Sequence, residues 1–270
     1  MLIIANNITS RNPRIASILK NYVLKGRKSN SIACPEIQDV AEACILAGAN
    51  ILEINLQQHL DKPEVMEFAI TAIQQVTDRQ LCLSTQNAIT LEAGIKICRL
   101  PPIINYTAID TAQLQEIFPL VNKYQTEVVL LVSDPASPGD SQQMLERTAV
   151  LIGVANQYGI PNERLIIDPG LIHINHEQGQ HHLVESMELL RAVPIAFGPG
   201  VRTTCWLSNI SSGAPEPLRA LIESTFLALI SGLEISSVFM DVLRRENRRT
   251  LHLLRIFHNE EIYADAGISF

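Results

Sequence analysis

Leu165-Ile166-Ile167-Asp168-Pro169-Gly170 is the stretch on which the fold turns. Three β-favouring apolar residues run into a carboxylate and a Pro-Gly turn, the pattern of a short buried strand that stops abruptly. Before it lies the longer amphipathic segment Ser141–Tyr158, closed by Gly159-Ile160-Pro161, and after it a second one, His182–Arg191. A short apolar strand between two helix-length segments is the repeating unit of a parallel sheet with crossover helices.

The same unit repeats along the whole chain. Strand-like runs occur at Leu2–Asn6, Ile51–Leu56, Leu81–Ser84, Ile103–Tyr106, Val128–Ser133, Leu165–Asp168, Pro194–Phe197 and Ser237–Asp241. Helix-like segments fall at Pro13–Leu24, Glu36–Ala47, Pro63–Val76, Ile89–Cys98, Ala112–Lys123, Ser141–Tyr158, His182–Arg191, Pro217–Ser231 and Leu243–His258. Pro13, Pro63 and Pro217 stand near helix starts and Gly48 just past a helix end, where each residue type is favoured. Eight strands, each followed by a helix, predict an α/β fold of the (β/α)8 TIM-barrel type, although an open doubly wound sheet shares this alternation. A length of 270 residues suits one barrel, which typically takes about 250, and no linker or repeat divides residues 1–270.

Composition narrows the partners. A formal net charge of −7 argues against a surface built to neutralise nucleic-acid phosphates. No apolar run is long enough for a membrane span, and Met1–Ala5 is too short for a secretory signal, so the expectation is a cytoplasmic protein. The five cysteines, Cys34, Cys44, Cys82, Cys98 and Cys205, contain no C-x-x-C pair and suggest neither a disulfide framework nor a metal site.

In a barrel, ligand-binding groups gather at the carboxyl ends of the strands. Those positions carry Asn6, Asn7, Asn55, Ser84 with Thr85, Gln86 and Asn87, Asn105, Ser133 with Asp134, Asp168, Gly198 with Gly200, and Asp241. Asparagine is disfavoured in strands, so its recurrence suits a flat heterocycle that offers alternating N–H and C=O groups. A turn or helix-cap role is the competing explanation for each one taken singly. Asp168 is the strongest anchor, because its stiff turn holds a carboxylate at the mouth and an ionised acceptor strengthens a hydrogen bond. Gly198-Pro199-Gly200 lacks the third glycine of a dinucleotide fingerprint. His173, His176, His181 and His182 crowd one loop, yet only Glu177 and Glu185 could join them, and a solvated loop is preferred to a metal site.

These residues together give a family resemblance. Leu52-Glu53-Ile54-Asn55, Leu81-Cys82-Leu83-Ser84-Thr85, Ile104-Asn105, Ile167-Asp168-Pro169 and Leu207-Ser208-Asn209-Ile210-Ser211 make the chain similar, essentially end to end, to the methyltetrahydrofolate:corrinoid/iron–sulfur protein methyltransferases, pterin-binding relatives of dihydropteroate synthase. The resemblance implies that Asn105 and Asp168 hold the pterin and that Asn209 acts beside N5 of 5-methyltetrahydrofolate. It implies Asn55, Ser84, Asn87 and Arg219 as further substrate contacts, a cobalamin carried by a partner corrinoid protein as methyl acceptor, and a homodimer. Three positions depart from the pattern: the third strand ends in Ser84 where the family has a carboxylate, the second reads Glu53-Ile54-Asn55 for D-L-N, and Ala5-Asn6-Asn7-Ile8-Thr9 replaces the usual opening. Gln86 or Asn87 would then compensate for Ser84, and Ser84→Asp is expected to strengthen folate binding. Two other functions fit the same residues, a non-catalytic pterin-binding scaffold and a corrinoid methyltransferase with a non-folate donor. A dihydropteroate synthase would need a lysine motif after the seventh strand, where this chain has Arg202.

Overall fold

The computed structural model describes residues 1–24, 34–56, 60–105, 111–134 and 137–263. Its eight parallel strands are β1 (Leu2–Thr9), β2 (Ile51–Asn55), β3 (Leu81–Ser84), β4 (Ile103–Asn105), β5 (Glu127–Leu131), β6 (Leu165–Asp168), β7 (Arg202–Thr203) and β8 (Ser237–Met240). They follow the order β7-β6-β5-β4-β3-β2-β1-β8, and an isolated parallel bridge between Trp206 and Phe239 brings the two edges together. The result is a nearly closed (β/α)8 barrel. The β7–β8 seam is held by Phe239 N–H donating to Cys205 C=O at 2.9 Å and by the Thr203–Ser236 pair, with no continuous ladder.

Nine helices among the described residues wrap the barrel: α1 (Pro13–Leu24), α2 (Pro35–Leu46), α3 (Pro63–Gln74), α4 (Ala88–Ile97), α5 (Thr111–Lys123), α6 (Ser141–Gln157), α7 (Gly179–Phe197), α8 (Glu216–Ser231) and α9 (Arg245–Phe257). Most match the periodic segments to within a residue or two. None is long and apolar enough to cross a membrane.

One expected strand is wrong. Pro194–Phe197 is not β7 but the last turn of α7, and the strand comes later, at Arg202–Thr203. A strand would put Val193 and Ile195 on one face; Val193 is buried and Ile195 is 85% exposed, as helical spacing requires. Gly198, at φ +83°, stops the helix. Gly198 and Gly200 therefore precede β7 and lie at the end of the barrel opposite the mouth, where Gly200 packs against Glu163. Arg202 is also at that end, paired at 2.7 Å with Glu127, the first residue of β5.

The interior is layered by the two-residue period of the strands. Ile4, Ile51, Cys82, Ile103, Val129, Ile166 and Phe239 form a sealed apolar cluster inside the barrel, separate from the larger core between sheet and helices. Two residues further along six of those strands stand Asn6, Glu53, Ser84, Asn105, Asp168 and Asp241. Each of these six strands thus lays an apolar plug and then a polar residue, which makes the floor of the mouth.

Candidate functional site

β2, β3 and β4 supply one connected piece of that floor. Asn105 Nδ2 donates to Ser84 Oγ at 3.0 Å, the Ser84 hydroxyl donates to Glu53 Oε1, and Asn55 Nδ2 donates to the same oxygen at 3.1 Å. Parallel register accounts for the meeting: Asn55 lies beside Ser84, Ser84 beside Asn105, and the longer Glu53 reaches up from its place beside Cys82. Glu53 is wholly buried and its Oε2 has no partner among the described residues. Burial pushes its carboxyl up from 4.5 to about 7, against the hydrogen bonds from Ser84 and Asn55, the nearby Asn105 amide and the charge of Arg11.

Across the mouth, Asp168 ends β6 at 5% exposure. Its Oδ1 accepts the Gly170 N–H at 2.8 Å, and Gly170, at φ +72°, makes the turn possible. Burial raises this carboxyl to about 7, opposed only by the Gly170 hydrogen bond. His182 braces the turn from behind, with Nε2 3.1 Å from the Gly170 carbonyl. Its burial holds its pKa below the ordinary value, so a neutral ring suits this structural role. Among the described residues no three His, Cys, Asp or Glu side chains converge as metal ligands.

Beside this floor a cleft of about 220 Å³ opens between β1, β2, the end of β7 and β8, lined by Asn6, Asn55, Trp206, Ser208, Asp241 and Arg244 among others. Irregular register between Ala5 and Ile8 lets β1 present both Asn6 and Asn7 here. Asn6 Nδ2 lies 3.5 Å from Ser208 Oγ, while Asn7 Nδ2 donates to Asp241 at 2.5 Å. Arg244 bonds to the buried Glu223 at 3.4 Å, and Glu223 also accepts from Ser211 and Asn247. The Trp206 ring stacks on Phe239, centroids 4.9 Å apart, and forms the wall.

The residues named from sequence divide into two groups. Asn55, Ser84, Asn105 and Asp168 all lie in the buried polar floor. Asn209 stands half-buried at the rim, on the 3-10 turn Leu207–Asn209 beyond Trp206. Asn87 is exposed and engaged locally, its side-chain oxygen accepting from the N–H groups of Ile89 and Thr90 to cap α4. Arg219 likewise serves its own loop, through the Ala214 carbonyl at 2.8 Å and Glu216 at 3.0 Å. Asn87→Ala is expected to cost about 1 kcal/mol, a few degrees of melting temperature, and to leave pterin affinity unchanged by titration. Glu53 was missed as a member of the floor. The signal was a charged residue at an inward position between Ile51 and Asn55.

Known proteins share this architecture. Residues 25–221 match the family model described as pterin binding enzyme. The structure is similar to dihydropteroate synthase of Thermus thermophilus (16% identity, 95% of this chain and 93% of that one, TM-score 0.64). It is also similar to that of Coxiella burnetii in complex with pteroic acid (16%, 96% and 94%, 0.65). A third is the Xanthomonas albilineans enzyme with 4-aminobenzoic acid (16%, 97% and 94%, 0.63). At this identity the structural likeness establishes the fold.

Proposed function

The chain belongs to the pterin-binding enzyme family, and from that premise we propose that it transfers the N5-methyl group of 5-methyltetrahydrofolate to Co(I) of a cobalamin carried by a corrinoid partner protein. The observation that carries the proposal is the floor itself. A carboxylate at Asp168 faces amides at Asn55 and Asn105 in a buried setting, and these are the groups a pterin's amino and amide edges require.

In this scheme Asp168 accepts the pterin's N–H pair and fixes the ring. The buried setting excludes water from that pair and strengthens it. Asn209, at the rim, hydrogen-bonds near N5. Methyl leaves without its bonding electrons, which stay on N5, so a protonated N5 becomes a neutral secondary amine; an amide fixed beside it favours the protonated form. Co(I) supplies the electron pair for the new carbon–metal bond. Arg202 counts against a synthase reading that needs a cation after β7, since it is ion-paired at the far end of the barrel, and Trp206 stands at the mouth instead.

The test is calorimetric titration with 5-methyltetrahydrofolate, followed by mixing the complex with chemically reduced cobalamin and recording the decay of Co(I) absorbance. Binding and turnover are expected. Asn209→Ala should slow transfer about a hundred-fold while leaving affinity nearly unchanged. Binding without transfer in the wild-type protein would leave a pterin-binding scaffold, and no binding at millimolar ligand would sink the proposal.

A further inference from the structure

Glu53 is sealed inside the barrel with one carboxyl oxygen unpartnered among the described residues, an arrangement that is costly. Its effect lies in the direction of the hydrogen bonds around it. Two donors, Asn55 Nδ2 and the Ser84 hydroxyl, converge on one of its oxygens. An oxygen accepting both holds no proton, so a neutral Glu53 carries its proton on the other oxygen and both donors keep their direction in either charge state. The single hydrogen of Ser84 is thereby committed to Glu53. Towards Asn105, 3.0 Å away, Ser84 acts only as an acceptor.

The consequence reaches the mouth. The NH2 group of Asn105 is turned to Ser84 and that of Asn55 to Glu53, so the carbonyl oxygen is the end of each amide turned away from this chain. With the Asp168 carboxylate opposite, each side of the floor offers an acceptor. We infer that Glu53, acting through Ser84, determines the specificity of the site: it locks Asn55 and Asn105 as hydrogen-bond acceptors and so selects a ring edge made of N–H donors. This rests on the proposed pterin site. A reduced pterin ring carries N8–H, whereas a fully oxidised ring presents a bare lone pair at N8 and would meet a carbonyl oxygen with like polarity. The floor therefore takes reduced pterins and rejects oxidised ones, without any contact between Glu53 and the ligand. It also gives the Ser84 position a role of its own, as the hydroxyl that carries orientation from one strand to the next.

Tetrahydrofolate and folic acid share a tail and differ in the oxidation of the pyrazine ring, which makes them the probes. Dissociation constants are measured for both, anaerobically, with wild type, Ser84→Ala, Ser84→Thr and Glu53→Gln, each checked for folding by circular dichroism. Wild type should prefer tetrahydrofolate on the order of a hundred-fold. Ser84→Ala frees the Asn105 amide to turn, and the preference should fall at least about ten-fold, folic acid binding as well as before or better. Ser84→Thr keeps the hydroxyl, and Glu53→Gln keeps an oxygen that accepts the same two donors, so both should hold the wild-type ratio. Wild type binding both ligands equally would overturn the inference while leaving the pterin site standing. A Ser84→Ala protein that weakens both ligands by the same factor would do so too, since that is what a merely structural serine predicts. Wild type binding neither ligand removes the pterin site and the inference with it.

Discussion

Asp168→Asn is expected to stabilise the ligand-free protein above neutral pH and to abolish most of its affinity for a pterin. Burial lifts the Asp168 carboxyl from 3.8 to about 7 in the folded chain. Between those values the native state holds the proton more tightly than the unfolded chain does. Folding stability is therefore fully present below about pH 4 and declines as pH rises through 7. Asparagine has the same shape, carries no charge, and still offers an oxygen to the Gly170 N–H. At pH 8 the variant should gain on the order of 4 kcal/mol, several degrees of melting temperature, and at pH 5 less than about half of that. Loss of a charge-assisted bond to the ligand should at the same time weaken 5-methyltetrahydrofolate about ten- to a hundred-fold. Thermal unfolding at the two pH values, with titration at pH 8, checks both halves. A variant no more stable than wild type at pH 8 would show that the carboxylate is not strained by its burial.

Ser84→Asp is the second large effect, and the structure reverses its expected sign. From sequence alone the substitution restores a missing carboxylate. In the fold, the carboxyl of Glu53 is already hydrogen-bonded to the Ser84 side chain, so an aspartate at 84 would set two acids against each other in a buried place. Such a pair cannot ionise twice without a severe penalty, and one pKa is driven up. Affinity at pH 8 should fall about ten-fold or more and recover in part at pH 6, with the melting temperature moving the same way. The double variant Glu53→Gln with Ser84→Asp leaves one acid and should bind better than Ser84→Asp alone. Tighter binding by the single variant at pH 8 would show that Glu53 does not fill the place of the absent acid.

The barrel was legible because its signals are local and repeated: runs such as Leu81–Ser84 and Leu165–Asp168 differ in period from the helices beside them. Strand seven was not legible. Two residues are too few to show a period, while the apolar Val193–Phe197 run, with Pro194 inside it, imitates a strand although Gly198 ends it as a helix. For the polar floor, strand ends were enough to pick out Asn55, Ser84, Asn105 and Asp168. Whether Asn87 and Arg219 face the mouth or serve their own backbone depends on side-chain direction, which spacing does not encode. Glu53 escaped for a related reason. Its partner Ser84 lies on another strand, 31 positions away in sequence, and only the sheet register brings the two within reach.

The seam between β7 and β8 gives the barrel uneven stiffness. From β1 round to β6, every neighbouring pair of strands is laced by a ladder, whereas β7 and β8 meet at one backbone bridge, the Thr203–Ser236 pair and a stacked ring pair. Parting them breaks the Phe239–Cys205 main-chain bond and the two Thr203–Ser236 hydrogen bonds, each worth about 1 kcal/mol, and leaves the other ladders intact. The seam acts as a clasp in an otherwise rigid ring. It lies at Trp206, next to the turn that bears Asn209 and away from the Glu53–Ser84–Asn105 chain. If the proposed methyl transfer takes place here, a bulky macrocycle approaching from above would meet the most yielding wall beside Asn209, while the polar floor stays fixed.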